Sequence, residues 1–253
     1  MHRLKTGTIA LLAGTLLSLG LPGTDALADA LPNADTVIEK YLEATGGRPA
    51  HESVKSRVSK GTFIITGMDS QGAVEVYQSP PNALSRIVTD FGVLATGVLA
   101  EGAWTMSPFE GDRILEPASE LDANRRASLN EFLDWKRWFE RAECVGEESV
   151  EDTTCYAVQM TPAEGEPTTH YFAKDTGLLA KSVTGRQSIY FSDYRQVGGV
   201  LLSHRQRLEA GSATFEITFT TIVNDEEIPA DAFEIPDEIL ALAHGEDEGS
   251  DTK

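Results

Sequence analysis

Apolar and polar residues alternate in short runs through most of the second half of the chain. Tyr156, Val158 and Met160 share one face of residues 156–160, His170 and Phe172 one face of 169–172, and Phe215, Ile217 and Phe219 one face of 214–219. Period-two alternation of this kind marks half-buried strands. Further strands are expected at 178–183, 188–191 and 200–208. Glu164-Gly165-Glu166-Pro167, Asp175-Thr176-Gly177, Gly198-Gly199 and Ala210-Gly211-Ser212 punctuate the gaps. Between 145 and 224 the pattern therefore predicts an antiparallel meander built from hairpins. The first half adds strands at 54–66, 73–78, 84–90, 93–99 and 103–106, with turns at Asp69-Ser70-Gln71-Gly72, Pro80-Pro81-Asn82, Gly92 and Glu101-Gly102.

Two stretches change to a helical period. Residues 35–44 carry Val37, Ile38, Tyr41 and Leu42 on one stripe, with Asp35 placed to cap them and Gly46-Gly47 to end them. Residues 119–139 repeat at steps of three and four through Leu121, Arg125, Ser128, Leu129, Phe132, Trp135, Lys136 and Phe139. Ser119 is placed as the cap of this longer helix, with Asp122 at the third helical position. It should open into strand near Arg141. Residues 224–239 read as an extended finish, because Pro229 and Pro236 limit pairing. The acidic end, 244–253, reads as a disordered tail.

The first 28 residues stand apart. His2, Arg3 and Lys5 precede an apolar run from 8 to 21, Pro22-Gly23 breaks it, and Ala26-Leu27-Ala28 offers a small-residue cut site. This reads as a secretory signal peptide cleaved after Ala28. The run is too short and interrupted to span a bilayer. Residues 29–243 then form one β-rich domain, soluble, exported, periplasmic where the cell has an outer membrane, and monomeric. The formal net charge is −19. Such acidity repels phosphate backbones and argues against nucleic acid as a partner.

Export permits a disulfide between the two cysteines, Cys144 and Cys155. A tight hairpin at Glu151-Asp152-Thr153 opposes it, since Cys155 would then face the region of Ser149, with Cys144 further along. A wide loop would restore the bridge, so the sequence leaves both arrangements open.

No chemistry-bearing motif emerges. His51, His170, His204 and His244 form no metal-ligand spacing, and the Gly-x-Ser-x-Gly, phosphate-loop and dinucleotide patterns are missing. His170 and His204 with Asp193 would be the residues of a hydrolase, the weakest of three readings. No cofactor or metal is expected. A curved sheet instead encloses an apolar hollow, and the aromatic stretch 132–139 is placed to cover it. Whether that cover leaves a cavity or packs shut is not decided by pattern, because cavities and cores use the same residues.

Two longer sets of residues carry a resemblance. Tyr41-Leu42-Glu43-Ala44-Thr45-Gly46-Gly47 precedes Val54-Lys55-Ser56-Arg57-Val58-Ser59-Lys60-Gly61-Thr62-Phe63. Later come Glu143-Cys144-Val145-Gly146, Cys155-Tyr156-Ala157-Val158, Tyr171-Phe172-Ala173-Lys174-Asp175-Thr176-Gly177 and Ser192-Asp193-Tyr194-Arg195-Gln196-Val197-Gly198-Gly199. Their order resembles exported proteins related to outer-membrane lipoprotein-sorting proteins, the LolA/LolB-like superfamily. Glu151-Asp152-Thr153 departs from the Asp-Gly expected at that turn, and Leu202-Ser203-His204 from a Leu-Pro.

The resemblance implies an incomplete, strongly curved antiparallel barrel with a helical lid over an apolar cavity for acyl chains. The expected function is a non-enzymatic carrier of lipid or lipoprotein. The expected lining is Leu129, Phe132, Trp135 and Phe139 from the lid. From the strands it is Phe63, Trp104, Val158, Met160, Phe172, Phe215 and Phe219. Arg125, Arg126, Lys136 and Arg137 are the expected rim cations. The alternative is an envelope module whose cavity is closed and which docks on partner proteins.

Overall fold

The computed structural model describes residues 30–67, 70–100, 102–115, 120–163 and 165–247, with backbone alone at 120–123 and 244–247. The proposed signal peptide lies outside the described residues. So do Ser119 and residues 248–253 of the expected tail.

The chain opens with α1 (Ala34–Ala44), whose buried stripe is Ala34, Val37, Ile38 and Leu42. Its cap is Asn33 rather than Asp35: Asn33 Oδ1 accepts the Asp35 N–H at 2.9 Å. Asp35 sits instead in the first turn, where a carboxylate complements the helix dipole. Gly46 and Gly47 end the helix at φ +122° and +81°, and the Gly47 N–H reaches back to the Leu42 carbonyl at 2.7 Å. A second helix, α2 (Arg48–Ser53), follows with proline in its first turn. It spans a single turn and a half with no apolar stripe, so periodicity gives no sign of it.

Six strands then run as a meander: β1 (Arg57–Ile65), β2 (Ser70–Ser79), β3 (Asn82–Thr89), β4 (Gly92–Leu99), β5 (Gly102–Met106) and β6 (Arg113–Leu115). Seven more follow a helical crossing: β7 (Phe139–Val150), β8 (Thr153–Pro162), β9 (Thr168–Ala173), β10 (Leu179–Thr184), β11 (Gln187–Val197), β12 (Val200–Ala210) and β13 (Ala213–Asn224). They form one 13-stranded sheet in the order β6-β5-β4-β3-β2-β1-β13-β12-β11-β10-β9-β8-β7. Every pairing is antiparallel, and only β1 with β13 joins strands distant in sequence. Among the described residues β6 and β7 are therefore the two edges of an unclosed barrel. Register irregularities at Lys60/Gly61, Leu179/Lys181 and Cys144/Gly146 help to bend it.

The crossing from β6 to β7 differs from the single helix that its periodicity predicts. It splits into α3 (Glu120–Ala127), a loop, and the short α4 (Trp135–Trp138), and β7 begins at Phe139. The break has a local cause. Asn130 Oδ1 accepts the N–H of Phe132 at 3.0 Å, so a side chain replaces a helical carbonyl as acceptor.

Packing divides the concave side. Against β7–β10, α1 and the aromatic crossing fill the space solidly: Ile38, Leu42, Phe132, Trp138, Phe139, Val158, Met160, Phe172 and Leu179 form one core cluster. The convex side carries a second cluster, in which Ile235 and Ile239 of the C-terminal segment cover Ala95 and Trp104. Trp104 fits there because Gly97 opposite it has no side chain; a Cβ at Gly97 would lie 2.4 Å from the indole. The C-terminal segment ends in α5 (Asp237–Asp247). Residues 237–239, expected as extended, and 244–247, expected as part of the disordered tail, are thus helical, and buried Ile239 anchors the first turn on the sheet.

Candidate functional site

Where β7–β10 are filled by α1, the middle of the sheet is not. A cavity of about 540 Å³ lies between β1, β2, β10–β13 and the crossing segment. Its floor includes Arg57 and Ser59 from β1, Val76 and Gln78 from β2, Phe191 and Tyr194 from β11, and Ile217 and Phe219 from β13. Its roof is Arg125, Arg126 and the loop Ser128-Leu129-Asn130-Glu131-Phe132. A second hollow of about 530 Å³ continues over β3–β6 and shares Val76, Gln78, Ser85 and Arg126 with the first. Ala83, Val98, Ala103 and Leu115 make that extension more apolar. Each space falls in the range of small-molecule sites.

Side chains from below hold the roof loop. Gln78 Nε2 donates to the Ser128 carbonyl at 3.3 Å, an Arg57 terminal nitrogen to the Leu129 carbonyl at 3.4 Å, and Arg48 to the Leu133 carbonyl at 2.9 Å. Arg125 pairs with Glu131 inside the roof at 3.0 Å. His51, from α2, has Nδ1 3.1 Å from Asn130 Nδ2 and Nε2 2.9 Å from Thr45 Oγ1. Because Asn130 Oδ1 is committed to Phe132, its amide nitrogen faces the imidazole and donates. His51 is therefore neutral, accepting at Nδ1 and donating from Nε2 to Thr45 Oγ1, whose own proton goes to the Tyr41 carbonyl at 2.8 Å.

Burial, then the nearby Arg57 charge, holds the His51 pKa below its usual value, and burial does the same to His170. A histidine with a lowered folded pKa gives the folded state full stability above about pH 6.5, and that stability is lost as pH falls below this value. Thermal melting should therefore drop between pH 7.5 and pH 5. In His51→Gln, which keeps an acceptor but cannot take a proton there, the drop should be smaller. Equal pH slopes in the two proteins would refute this role for His51.

Of the residues expected to line a cavity, Leu129, Phe132 and Phe219 do so. Val158, Met160, Phe172 and Phe139 lie in the core packed by α1, and Trp135 packs at its margin. Phe63 and Phe215 stack on each other with ring centroids 5.6 Å apart, outside the cavity lining. Trp104 is on the opposite face of the sheet, because its neighbour Ala103 takes the inward position. Trp104→Phe should cost about 1–2 kcal/mol of stability and leave ligand affinity unchanged in a titration of the folded protein. A loss of affinity would contradict this placement.

Of the expected rim cations, Arg125 and Arg126 line the cavity, whereas Lys136 and Arg137 border a separate surface hollow, with Lys136 paired to Asp35 at 2.9 Å. The polar part of the floor, above all Arg57, which Asn224 holds from outside the lining, carries no motif. Its one sequence sign is a charged residue at an inward position of a strand pattern.

The hydrolytic trio is not assembled. His170 on β9 and His204 on β12 are separated by β10 and β11. His170 Nδ1 meets Ser182 Oγ at 2.8 Å, and His204 Nδ1 meets the Leu202 carbonyl at 3.0 Å. The Asp193 carboxyl is held below its usual range chiefly by the Arg195 guanidinium. No group of metal-binding side chains occurs among the described residues. Both cysteines are free. The register sets Cys144 opposite Val158 and Cys155 opposite Glu148. The two thiols are thus about 10 Å apart along the strands, beyond the ~7 Å reach of a bridge. Burial raises both thiol pKa values, which makes them poor nucleophiles.

The fold as a whole matches solved structures. A LolA superfamily protein from Nitrosomonas europaea matches with a TM-score of 0.54 at 12% identity, over 83% of this chain and 100% of that one. The fold is LolA-like. A putative outer-membrane lipoprotein-sorting protein domain from Vibrio parahaemolyticus matches at 0.54 and 11% identity, over 80% of this chain and 97% of that one. A DUF1329 family protein from Desulfovibrio piger matches at 0.53 and 14% identity, over 79% and 97%. No protein-family model and no curated protein matches the sequence significantly. The LolA-like architecture is therefore established by the fold. No helix among the described residues is long and apolar enough to cross a membrane.

Proposed function

We propose that this protein is an exported, non-enzymatic carrier that holds an acyl chain of a lipid or lipoprotein beneath the α3–loop–α4 crossing. In this reading residues 1–28 direct export and are removed, and residues 29–243 act as one monomeric periplasmic domain. The observation that carries it is the roofed cavity continuing into the more apolar hollow over β3–β6. Each buried methylene contributes about 0.8 kcal/mol, so a tail of about ten carbons supplies on the order of 8 kcal/mol before ordering costs. Nothing more specialised than a roofed cavity opening onto the apolar hollow over β3–β6 is needed for affinity.

Ser85 borders both spaces. Ser85→Trp should obstruct the passage between them and weaken binding of a fluorescent fatty-acid probe about tenfold, with melting within a few degrees of the parent. Native protein should also release lipid detectable by mass spectrometry. Protein that carries no lipid and gives no probe signal in either form would exclude the carrier reading and favour a docking module with envelope proteins as partners.

A further inference from the structure

We infer that Arg57 makes the cavity floor a recognition site for an anionic head, carboxylate or phosphate, of a single-tailed amphiphile whose tail runs toward β4 and β5. The inference rests on the carrier reading above and names the ligand chemistry it selects.

Arg57 is a buried charge, 8% exposed, in the wall of the cavity. Its recorded partners are both neutral: Nε donates to Asn224 Oδ1 at 2.9 Å, and a terminal nitrogen donates to the Leu129 carbonyl at 3.4 Å, long for such a bond. A guanidinium has five N–H donors, and three of those on Arg57 have no acceptor among the described residues. Among the described residues no carboxylate pairs with it. Asp225, the nearest acid by its electrostatic effect, accepts instead from the Lys55 and Ser56 backbone N–H groups at 2.7 and 3.1 Å. Burial lowers the Arg57 pKa to about 10, the mark of a cation short of compensating charge.

Buried charges in proteins are otherwise paired. Here no described residue supplies the counter-charge on the side that opens to the cavity. The guanidinium is also aimed: Asn224 fixes Nε, and Asn224 is itself held by its Nδ2 donating to the Val197 carbonyl at 3.2 Å. Locking one edge leaves the other to meet a carboxylate or phosphate in the two-pronged geometry that arginine favours. The contrast with the rest of the molecule is informative. The chain carries a net charge of −19, yet Arg57, Arg125 and Arg126 border this cavity, and Glu131, the one acid among the described residues of its lining, is paired with Arg125. Val76 and Ser85 lead from the Arg57 end to the hollow bordered by Val98 and Ala103. A head at Arg57 and a tail over β4 and β5 therefore fit one continuous path.

The test is a titration of the folded protein with palmitate, hexadecyl phosphate and hexadecanol, which share a tail, and with inorganic phosphate and acetate alone. The parent protein should bind both anionic amphiphiles at least tenfold more tightly than the alcohol. Arg57→Gln should lose that preference, binding acid and alcohol with equal affinity, and Arg57→Lys should keep part of it. Equal binding of acid and alcohol by the parent, or an undiminished preference in Arg57→Gln, would overturn the inference while leaving the carrier reading intact. Binding of inorganic phosphate as tightly as hexadecyl phosphate would overturn it in favour of a small-anion site. Binding of no amphiphile at all would overturn both. If Arg57→Gln does not fold, Arg57→Lys carries the test: a preference for acid over alcohol undiminished from the parent's would overturn the proposal.

Discussion

Phe132→Ala should lower stability by about 3–5 kcal/mol, the usual cost of removing a fully packed phenyl ring. The ring is 4% exposed. Tyr41 lies at a centroid distance of 5.1 Å, Phe172 at 5.4 Å and the His170 imidazole at 5.0 Å, each roughly edge to face. Three elements meet on it: α1, β9 and the roof loop. The void left by alanine cannot close without moving one of them, and cavities that cannot collapse are the costly ones. In a domain of this size the loss corresponds to a fall in melting temperature of about 6–20 °C. The substitution should also loosen the roof, raising hydrogen exchange at Ser128 to Glu131 even below the melt. Phe132→Leu, which refills most of the volume, should cost about 1–2 kcal/mol. A Phe132→Ala protein melting within 2 °C of the parent would show that the aromatic cluster is not the anchor of the crossing.

The second large effect belongs to Gly46. Its φ of +122° disfavours any side chain, and a Cβ there would stand 2.2 Å from the Gly199 carbonyl oxygen. Neighbouring Thr45 accepts the Leu201 N–H at 2.9 Å, so this close approach fastens the end of α1 to the turn between β11 and β12. Gly46→Ala should therefore combine backbone strain with steric displacement, on the order of 3–4 kcal/mol. Gly47→Ala separates the two contributions. At Gly47 φ is +81°, but the nearest atom to a Cβ is Pro49 Cδ at 3.8 Å, so strain acts alone and should cost about 1–2 kcal/mol. Equal urea midpoints for the two variants would show that the contact with Gly199 is not what matters.

The strands were legible because their cause is local. Tyr156, Val158 and Met160 alternate with their neighbours, Glu151-Asp152 sits at a turn with Glu151 at φ +52°, and Gly198-Gly199 takes two positive φ values between β11 and β12. Each needs only a few residues of context. The corrections lie outside what periodicity records. The break at Asn130 depends on a side chain choosing a backbone partner, which a helical period cannot register. Trp104 has the same pattern as an inward residue, and only the C-terminal segment on the other face makes that face dry. The pairing of β1 with β13 has no turn to announce it. The filling of the β7–β10 side by α1 joins residues more than 90 positions apart, such as Ile38 and Phe172. The cavity was thus foreseen by way of resemblance, while its charged floor, set by Arg57, Asn224 and the roof carbonyls, is a product of tertiary contact.

The strand order has a mechanical corollary. β6 and β7 lie at the two far margins of the sheet, and the segment that covers the cavity is the strap of chain between them. If the margins splay apart, the strap is drawn taut; if they approach, it gains slack. Widening the mouth and shifting its cover are therefore one motion with one coordinate, and a crosslink between the margins would arrest both.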